Sequence, residues 1–380
     1  MILTRTALTQ AVKSRALELG FDLVAVGPAD PPEHGGAFEA WLTQGFAGTM
    51  EYLGRGRGKR LDLEQLLPGA RSVIVVGLNY YQGSPPESRG WEPVARYAWG
   101  RDYHDLMTPR LERLLTFLGE AGGNEVCGKV YVDTGPVLER DLAARAGLGW
   151  VGKNTTLLHP GLGSFFFIGV ILTTADLDFD ARLPDRCGTC QACLDVCPTE
   201  AFAAPYVLDA RRCIAYLTIE HKGPIPKDLR ERMGEWVFGC DLCQTVCPWN
   251  RKPPRTVEPA LRPPAPLPDL TDLLTLDQDG FQRRFSGTPL TRPKRRGIAR
   301  NVAVALGNRK DARAVPALLH ALADPDGLVR QHTAWALGRI GGSEARSALR
   351  TARAREQDSG VLQEMLEALG EEGESHDHDD

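Results

Sequence analysis

Residues 186–198 read R-C-G-T-C-Q-A-C-L-D-V-C-P and hold four of the nine cysteines of this 380-residue chain. Thiols at this density form a disulfide staple, a zinc clamp or the ligands of an iron–sulfur cluster. The start of the chain has no long apolar run before a small-residue cleavage site, so no secretory signal is expected. The most apolar stretch, residues 165–172, is too short for a membrane span, which needs roughly 20 residues. A cytoplasmic chain is therefore expected, in which thiols stay reduced and disulfides are disfavoured.

The spacing of the cysteines separates the two remaining choices. A zinc site usually takes its ligands as two separated pairs, whereas residues 187–198 follow the C-x2-C-x2-C-x3-C-P spacing of bacterial ferredoxins, whose fourth cysteine serves a different cluster. A second run, C-D-L-C-Q-T-V-C-P at 240–248, follows the single Cys213. If the last cysteine of each run binds the cluster of the other run, the eight cysteines form two sets of four, which predicts two [4Fe–4S] clusters. The ligands are Cys187, Cys190, Cys193 and Cys247 for one, and Cys197, Cys213, Cys240 and Cys243 for the other. The ninth thiol, Cys127, is expected to be a buried small hydrophobe.

Apolar periodicity predicts the domain organisation. Helical spacing over 5–20, 105–118 and 137–149 alternates with apolar strands over 21–27, 71–80, 129–134 and 164–174. This alternation predicts an α/β (α+β) domain over residues 1–182. A two-cluster ferredoxin-like domain is expected over 183–252, followed by a proline-rich linker poor in secondary structure over 253–285. Residues 371–380 form an acidic tail that is expected to be disordered.

The C-terminal part of the chain repeats itself. The tripeptide A-L-G occurs at 305–307, 336–338 and 368–370, within similar surroundings. Paired helices at this period predict HEAT-like repeats over 286–370, although two unrelated amphipathic helices are the alternative. Such a solenoid is a binding surface or a cap rather than a catalyst.

Charge is distributed unevenly along the chain. The formal net charge is −4, but the last ten residues hold six acids and no Lys or Arg, so the remainder is net positive. Residues 281–300 hold seven Lys or Arg and no acid, interleaved with Phe281 and Phe285. This basic segment is either a solvated face or a contact for a phosphate backbone.

Two clusters carry electrons but perform little chemistry alone, so the α/β domain is expected to hold the acceptor. Neither a G-x-x-x-x-G-K-[ST] loop nor a G-x-G-x-x-G after a strand is present. The basic loop G-R-G-R-G-K-R at 54–60 is more typical of a phosphate contact. The stretch D-Y-H-D-L-M at 102–107 begins like the D-x-H-x-x-G of proteins that ligate cobalamin through histidine, but Met107 replaces the glycine. Any corrinoid is therefore expected to bind without a histidine ligand from this motif.

Taken together, these motifs resemble the epoxyqueuosine reductase family. The resemblance is carried by residues 96–105, 131–140, 143–154, 187–198, 212–218 and 239–250, and the repeats resemble those of its longer members. It implies that electrons pass through two [4Fe–4S] clusters to a base-off cobalamin, which removes the epoxide oxygen of epoxyqueuosine at the wobble position of tRNA. An external flavodoxin- or ferredoxin-type electron donor, no membrane and a monomer are expected.

The resemblance also assigns roles to residues of this chain. It implies that Asp133 is the proton donor, and we expect burial at the end of an apolar strand to raise the pKa of its carboxyl group. The alternative is that Asp133 caps a helix beginning near Val137. Glu139, Arg140 and Asp141 are expected to be salt-bridged surface residues.

Further contacts are implied for the corrinoid and for tRNA. The corrinoid contacts are Arg60, Asp133, Lys153, Asn154, Cys240 and Asp241, each of which is otherwise an exposed loop residue. Tyr103 and His104 either contact the substrate or form a buried, hydrogen-bonded pair. The positive residues available to tRNA are the 54–60 loop, Arg211, Arg212, Lys222, and Lys294, Arg295 and Arg296 of the basic segment.

Three other functions compete with this one. A reductive dehalogenase shares the cofactors but usually carries a twin-arginine export signal. A ferredoxin-type electron carrier with a docking solenoid needs no corrinoid and has no use for Asp133. A scaffold with structural clusters is the weakest interpretation, because two adjacent clusters form an electron path.

Overall fold

The computed structural model describes residues 3–83, 90–123 and 125–371. Its contacts divide the chain into two compact units. The first contains Met1–Ser84, Arg96–Arg211 and Asp241–Pro263, and the second contains Pro85–Ala95, Arg212–Cys240 and Pro264–Asp380. Each unit is thus assembled from separate pieces of chain, whereas the domains predicted from the sequence are continuous. The predicted ferredoxin-like segment contributes to both units.

The secondary structure is as follows. The strands are β1 (Leu23–Pro28), β2 (Ser72–Asn79), β3 (Gly128–Tyr131), β4 (Trp150–Val151), β5 (Leu157–Leu158), β6 (Phe166–Thr173), β7 (Phe202–Ala204) and β8 (Val207–Leu208). The helices are α1 (Arg5–Glu18), α2 (Gly35–Thr43), α3 (Glu51–Arg55), α4 (Arg57–Leu61), α5 (Tyr103–Gly122), α6 (Glu139–Arg145), α7 (Ala192–Asp195), α8 (Ile214–Ile219), α9 (Lys227–Arg230), α10 (Leu242–Thr245), α11 (Leu270–Thr275), α12 (Gln278–Phe285), α13 (Lys294–Arg309), α14 (Val315–Ala321), α15 (Gly327–Ile340), α16 (Ser343–Arg353) and α17 (Ser359–Leu369). None of the helices in the described ranges is both long and apolar enough to cross a membrane.

The first unit is built on a four-stranded sheet in the order β1-β2-β6-β3, with every pairing antiparallel. All residues of β2 are buried because both faces of the sheet are covered. Ile74 and Val76 pack on the face that holds α1 and α5, and Val73 and Val75 pack on the face that holds α6. This alternation follows from the two-residue period of a strand. The predicted α/β (α+β) class is confirmed, with an antiparallel sheet.

The proline-rich linker is more ordered than the sequence indicated. Its second half forms α11 and α12, and Phe281 and Phe285 are buried with ring centroids 5.3 Å apart. The prediction of a segment poor in secondary structure is therefore wrong for 270–285. The two phenylalanines belong to the core and not to a surface contact with phosphate. Apart from Glu371, which pairs with Arg353, the acidic tail lies outside the described residues.

The repeated A-L-G motif marks the places where helices of the second unit approach most closely. A Cβ atom at Gly307 of α13 would lie 3.0 Å from the backbone of Ala336 in α15. A Cβ atom at Gly338 of α15 would lie 2.9 Å from the backbone of Ala368 in α17. Helices α13, α15 and α17 therefore stack through glycine contacts one repeat apart, as neighbouring repeats of a solenoid do.

We expect Gly307→Ala and Gly338→Ala each to destabilise the second unit by about 1–3 kcal/mol, because overpacking a tight contact forces helices apart. The matched control is Gly36→Ala in α2, where an added Cβ meets nothing within 4 Å. That change stabilises a helix by up to about 1 kcal/mol. Calorimetric unfolding measures all three. Repeat-glycine variants as stable as the native chain would contradict the close contact.

Candidate active site and cluster ligands

Four thiols of the first unit lie near one another. None of the nine cysteines forms a disulfide. Burial raises the pKa of Cys193, and the neighbouring sulfur atoms of Cys247, Cys187 and Cys190 raise it further. Cys187 packs against the buried cluster formed by Trp150, Leu158 and Cys247. These are the four thiols that the spacing assigned to one cluster, and a [4Fe–4S] group takes four thiolates. The set therefore fits such a cluster in its chemistry, and the assignment of the ligands stays a prediction.

Two residues assigned to the corrinoid hold the cysteine-bearing loops. The Lys153 ammonium group donates hydrogen bonds to the carbonyl oxygens of Gly188 and Cys190, at 2.7 and 2.9 Å. The buried Asn154 amide donates to the carbonyl oxygen of Cys243 at 3.3 Å. Both therefore fix the backbone beside cysteines of the two runs.

The remaining thiols have distinct surroundings. The Cys197 sulfur accepts a hydrogen bond from the backbone N–H of Ala201 at 3.3 Å. Cys213 is the residue immediately before α8, and Cys240 follows Gly239, whose N–H donates to the Thr218 hydroxyl at 2.9 Å. Cys127 is exposed. The prediction that Cys127 is buried is wrong, because it lies on the turn before the edge strand β3.

A buried polar network holds the part of the second unit that carries Cys213 and Cys240. Arg300, which has no exposed surface, donates hydrogen bonds of 2.6–2.8 Å to the carbonyl oxygens of Leu217, His221 and Gly223. The Asn301 amide group donates to the carbonyl oxygens of Thr218 and Val237, both at 2.8 Å. One helix of the repeat region therefore fixes the backbone after Cys213 and the backbone before Cys240.

Asp133 lies two residues after β3, in a loop, and has a left-handed backbone with φ of 55°. Its carboxylate accepts a hydrogen bond from the Tyr103 hydroxyl at 2.9 Å, and His104 Nε2 lies 4.0 Å from the same oxygen. The Tyr103 ring stacks on Phe167 of β6, with centroids 4.2 Å apart and planes 12° apart. The central sheet therefore fixes the tyrosine that orients Asp133.

The pKa values of two neighbours of Asp133, Tyr103 and His104, are raised. Burial, with the Asp133 charge second, raises the pKa of Tyr103 far above its ordinary value, so its hydroxyl stays protonated and donates. The hydrogen bond from His104 Nδ1 to Asp102, at 2.7 Å, raises the pKa of His104. The Tyr103 and His104 rings stack, but both side chains are half-buried and bond to different carboxyl groups, Asp133 and Asp102. The predicted alternative of a buried pair that is hydrogen-bonded to each other is therefore wrong, and the contact with substrate stays a prediction.

Three expectations for this loop are wrong. The Asp133 side chain is 68% exposed rather than desolvated, because the strand ends before it. Asp133 does not cap α6, whose first residue follows Leu138 without a side-chain cap. Glu139 is half-buried and Asp141 is buried, so neither is the exposed surface residue that was expected. Asp141 is 5% exposed and accepts hydrogen bonds from the backbone N–H and the ring of His34.

The desolvated carboxyl group of this loop is Glu139. Its Oε1 atom is inaccessible to solvent and has no hydrogen-bond partner among the described residues. Burial, followed by the nearby Asp133 charge, raises the pKa of Glu139 to about 8. The desolvation of Glu139 was not predicted from the sequence, because charged residues at a helix start are usually solvated. The apolar L-A-A that follows, which buries α6, was the available signal.

The other residues assigned to the corrinoid are also held firmly. Arg60 is 6% exposed and donates to the carbonyl oxygen of Gly135 at 2.9 Å. Asp241 is 2% exposed and accepts two hydrogen bonds from Arg96, one from its backbone N–H at 2.9 Å and one from its guanidinium at 3.0 Å. Burial raises the pKa of Asp241, and Arg96 opposes the rise. Neither residue is an exposed loop residue, and Arg96 is a partner that the sequence analysis did not name.

Three of the seven positive residues of the basic segment pair with acids from elsewhere in the second unit. Arg295 forms a two-armed ion pair with Asp324, with both bonds at 2.8 Å, and its side chain is 12% exposed. Arg296 lies 3.6 Å from Asp326, and Arg292 pairs with Glu220. The segment is therefore not the uncompensated run of charge that its sequence indicated. Lys294 and Lys222 are exposed, and the assignment of these residues to tRNA stays a prediction.

Family models match three parts of the chain. The model of epoxyqueuosine reductase QueG matches residues 60–134, that of the 4Fe-4S double cluster binding domain matches 186–250, and that of HEAT repeats matches 291–370. The epoxyqueuosine reductase of Xanthomonas campestris is 42% identical over 341 residues, which cover 87% of this chain and 95% of that protein. The Escherichia coli epoxyqueuosine reductase is 38% identical over 340 residues, covering 87% and 89% of the two chains.

Solved structures agree with these relatives. An epoxyqueuosine reductase crystallised with a tRNA-Tyr epoxyqueuosine-modified stem loop is 31% identical, with a TM-score of 0.88 over 96% of this chain and 98% of that one. The Bacillus subtilis epoxyqueuosine reductase, whose catalytic aspartate loop is swung out of the active site, is 30% identical, with a TM-score of 0.89 over the same shares of the two chains. The cysteine pattern, the repeats and this similarity along nearly the whole length agree, and the chain belongs to the epoxyqueuosine reductase family.

Proposed function

We propose that the chain reduces epoxyqueuosine to queuosine at the wobble position of tRNA, as its relatives' name implies. Converting the epoxide to an alkene and water consumes two electrons and two protons. When bound, two [4Fe–4S] clusters supply electrons one at a time and base-off cobalamin supplies a reduced cobalt centre. The single observation that carries the proposal is Asp133, an accessible carboxyl group oriented by Tyr103 within the same unit as the converging thiols.

The residues of the chain account for the proton transfer. The Tyr103 hydroxyl donates a hydrogen bond to one carboxyl oxygen of Asp133. The other carboxyl oxygen would then hold the proton and donate it to the epoxide oxygen. Opening the ring builds negative charge on that oxygen, so a positioned acid lowers the barrier. The exposure of Asp133 suits this role, because a nucleotide must reach it from outside.

The chain residues also fit the corrinoid that the family implies. Around the Asp133 loop, Arg60 Nε is buried and has no partner among the residues described. Arg60 would therefore hold a polar side arm or the phosphate of the corrinoid, since guanidinium groups bind both. Lys153 and Asn154 would border it while holding the cysteine loops.

The cofactor content of the purified protein distinguishes the proposed reductase from an electron carrier. We expect protein purified without oxygen and supplied with cobalamin to contain about eight irons per chain, by the four-per-cubane count, and one cobalt. Elemental analysis with the visible absorbance spectrum measures both. Iron at this level with no uptake of cobalt would contradict the enzyme and favour the ferredoxin-type carrier.

The Asp133→Asn variant tests whether Asp133 is the proton donor. We expect the variant to keep iron and cobalt at native levels but to lose at least about 10²-fold in turnover, because an amide cannot give up a proton at this step. Tyr103→Phe should retain part of the activity, since it removes only the orienting hydrogen bond. The assay is reduction of tRNA containing epoxyqueuosine. Near-native turnover of Asp133→Asn would exclude this role.

The salt dependence of tRNA binding tests the basic segment. We expect Lys222→Ala and Lys294→Ala to weaken binding and to lower the slope of log K against log salt concentration by about 0.7 for each phosphate that is no longer neutralised. Arg295→Ala is the matched control, because its guanidinium is committed to Asp324 and its removal should act on stability instead. An unchanged slope in both lysine variants would make the segment a solvated face.

A further inference from the structure

Two tryptophan rings lie beside the ligand set predicted for one of the two clusters. This cluster, which we call the first cluster, has the predicted ligands Cys187, Cys190, Cys193 and Cys247. Trp150 of β4 and Trp249, two residues after Cys247, pack with ring centroids 5.0 Å apart and planes 76° apart. Trp150, Leu158 and Cys247 form one buried group, against which Cys187 and Trp249 pack. The ring pair therefore adjoins one thiol from each cysteine run.

The hairpin of β4 and β5 fixes Trp150 at this position. Trp150 pairs with Leu158 across the hairpin. A Cβ atom added at Gly152, the residue after β4, would lie 3.6 Å from the Cys187 sulfur. The Lys153 ammonium group, next along the chain, donates to two carbonyl oxygens of the loop that follows Cys187. The hairpin is therefore in contact with the Cys187 loop, and the Trp150 ring is held beside the thiols.

The indole N–H of Trp150 is buried and unpaired. The residue is 3% exposed, and its Nε1 atom is inaccessible to solvent and has no hydrogen-bond partner among the described residues. Trp91 is equally buried and donates its N–H to the carbonyl oxygen of Ala265 at 3.0 Å, as a buried indole usually does. Enclosing a donor without an acceptor loses its solvation and gains nothing in return. The position of Trp150 therefore indicates an acceptor that the polypeptide itself does not supply.

The surroundings of the Trp150 N–H point to sulfur as this acceptor. Burial raises the pKa of the Cys187 thiol, and the backbone N–H of Lys153 and the indole of Trp150 oppose the rise. The indole is thus close enough to the Cys187 sulfur to favour its thiolate form. A bound cluster adds further sulfur atoms, and hydrogen bonds to the sulfurs are one of the factors that set the reduction potential of a cluster. An unpaired N–H beside the thiols fits such a group.

We propose that the Trp150 indole N–H donates a hydrogen bond to a sulfur atom of the first cluster and thereby raises the reduction potential of that cluster. The inference rests on the proposed function, of which the cluster is part, and names a residue that tunes it. An added electron increases the negative charge on the sulfur atoms, so a donor directed at them stabilises the reduced cluster more than the oxidised one.

The Trp150→Phe variant tests the hydrogen bond, because it keeps an aromatic ring and removes the N–H. The measurement is a redox titration of the cofactor-loaded protein without oxygen, followed by electron paramagnetic resonance of the reduced clusters. At the native midpoint potential of the first cluster, we expect the ratio of reduced to oxidised cluster to fall by about tenfold, which is about 59 mV for one electron. The other cluster should keep its midpoint potential. A fall of less than about twofold, or an equal shift of both clusters, would overturn the proposal.

Trp249→Phe is the matched control, because it removes the indole N–H of the neighbouring, half-buried ring and leaves that of Trp150 in place. We expect it to change the same ratio by less than about twofold. If Trp249→Phe lowered the midpoint potential as much as Trp150→Phe does, the effect would come from the packing of the ring pair, and the proposal would fail.

A second measurement uses the native sequence and does not depend on the folding of a variant. The protein is produced with tryptophan whose indole nitrogen is isotopically labelled, and the reduced clusters are studied by pulsed electron paramagnetic resonance. A hydrogen bond from the indole to a cluster sulfur brings its nitrogen within reach of the unpaired spin, so we expect a coupling to the label. The coupling should persist in Trp249→Phe. Its absence from the native spectrum would contradict the hydrogen bond.

The two proposals fail differently. If the native, cofactor-loaded enzyme does not reduce epoxyqueuosine while the midpoint potential and the coupling respond as expected, the proposed function fails and the hydrogen bond stands. If the native enzyme is active and neither measurement responds, only the hydrogen bond fails.

Discussion

The crowding of four thiols in the first unit is the constraint on which the rest of that unit depends. Cys187, Cys190, Cys193 and Cys247 come from two distant stretches of chain, and neighbouring sulfur atoms add to the burial that raises the pKa of Cys193 and of Cys247. Thiols provide little hydrogen bonding of their own, so the surrounding backbone has to be held by other groups. Lys153 and Asn154 do this by donating to carbonyl oxygens beside the cysteines. The segment that carries them follows the Asp133 loop and α6, so the residue proposed as proton donor and the supports of the cysteine-bearing loops lie on one continuous stretch of chain.

In the second unit, a buried cation holds the backbone near Cys213 and Cys240. A guanidinium group without exposed surface is costly unless its donors are paired, and Arg300 meets this condition with three carbonyl oxygens and the side chain of Asn301. These bonds fix the chain between Cys213 and Cys240 from the first helix of the repeat region. From the sequence, the solenoid was expected to be a binding surface or a cap, and this network shows that it also supports the two segments that carry Cys213 and Cys240.

Sequence patterns predicted those features that depend on local spacing. Strands β1, β2 and β6 and helices α1 and α5 follow from apolar periodicity, and the ligand sets follow from the intervals between cysteines. Features that depend on distant partners were not predictable. The acid that neutralises Arg295 is Asp324, which lies 29 residues further along the chain, so the basic segment looked unpaired. Prolines concealed α11 and α12, whose burial of Phe281 and Phe285 comes from tertiary packing. Asp133 was identified by resemblance alone, and its environment was wrongly expected to be apolar.

The correction at Asp133 shows that two carboxyl groups on one short stretch of chain differ in their access to solvent. The proposed proton donor has to be accessible to a bulky nucleotide, and the loop after β3 leaves the Asp133 side chain 68% exposed. Glu139, at the start of α6, is half-buried, and its Oε1 atom is inaccessible to solvent. The difference follows from the elements that carry the two residues, because Asp133 lies beyond the end of a strand, whereas the apolar residues that follow Glu139 bury α6 in the core.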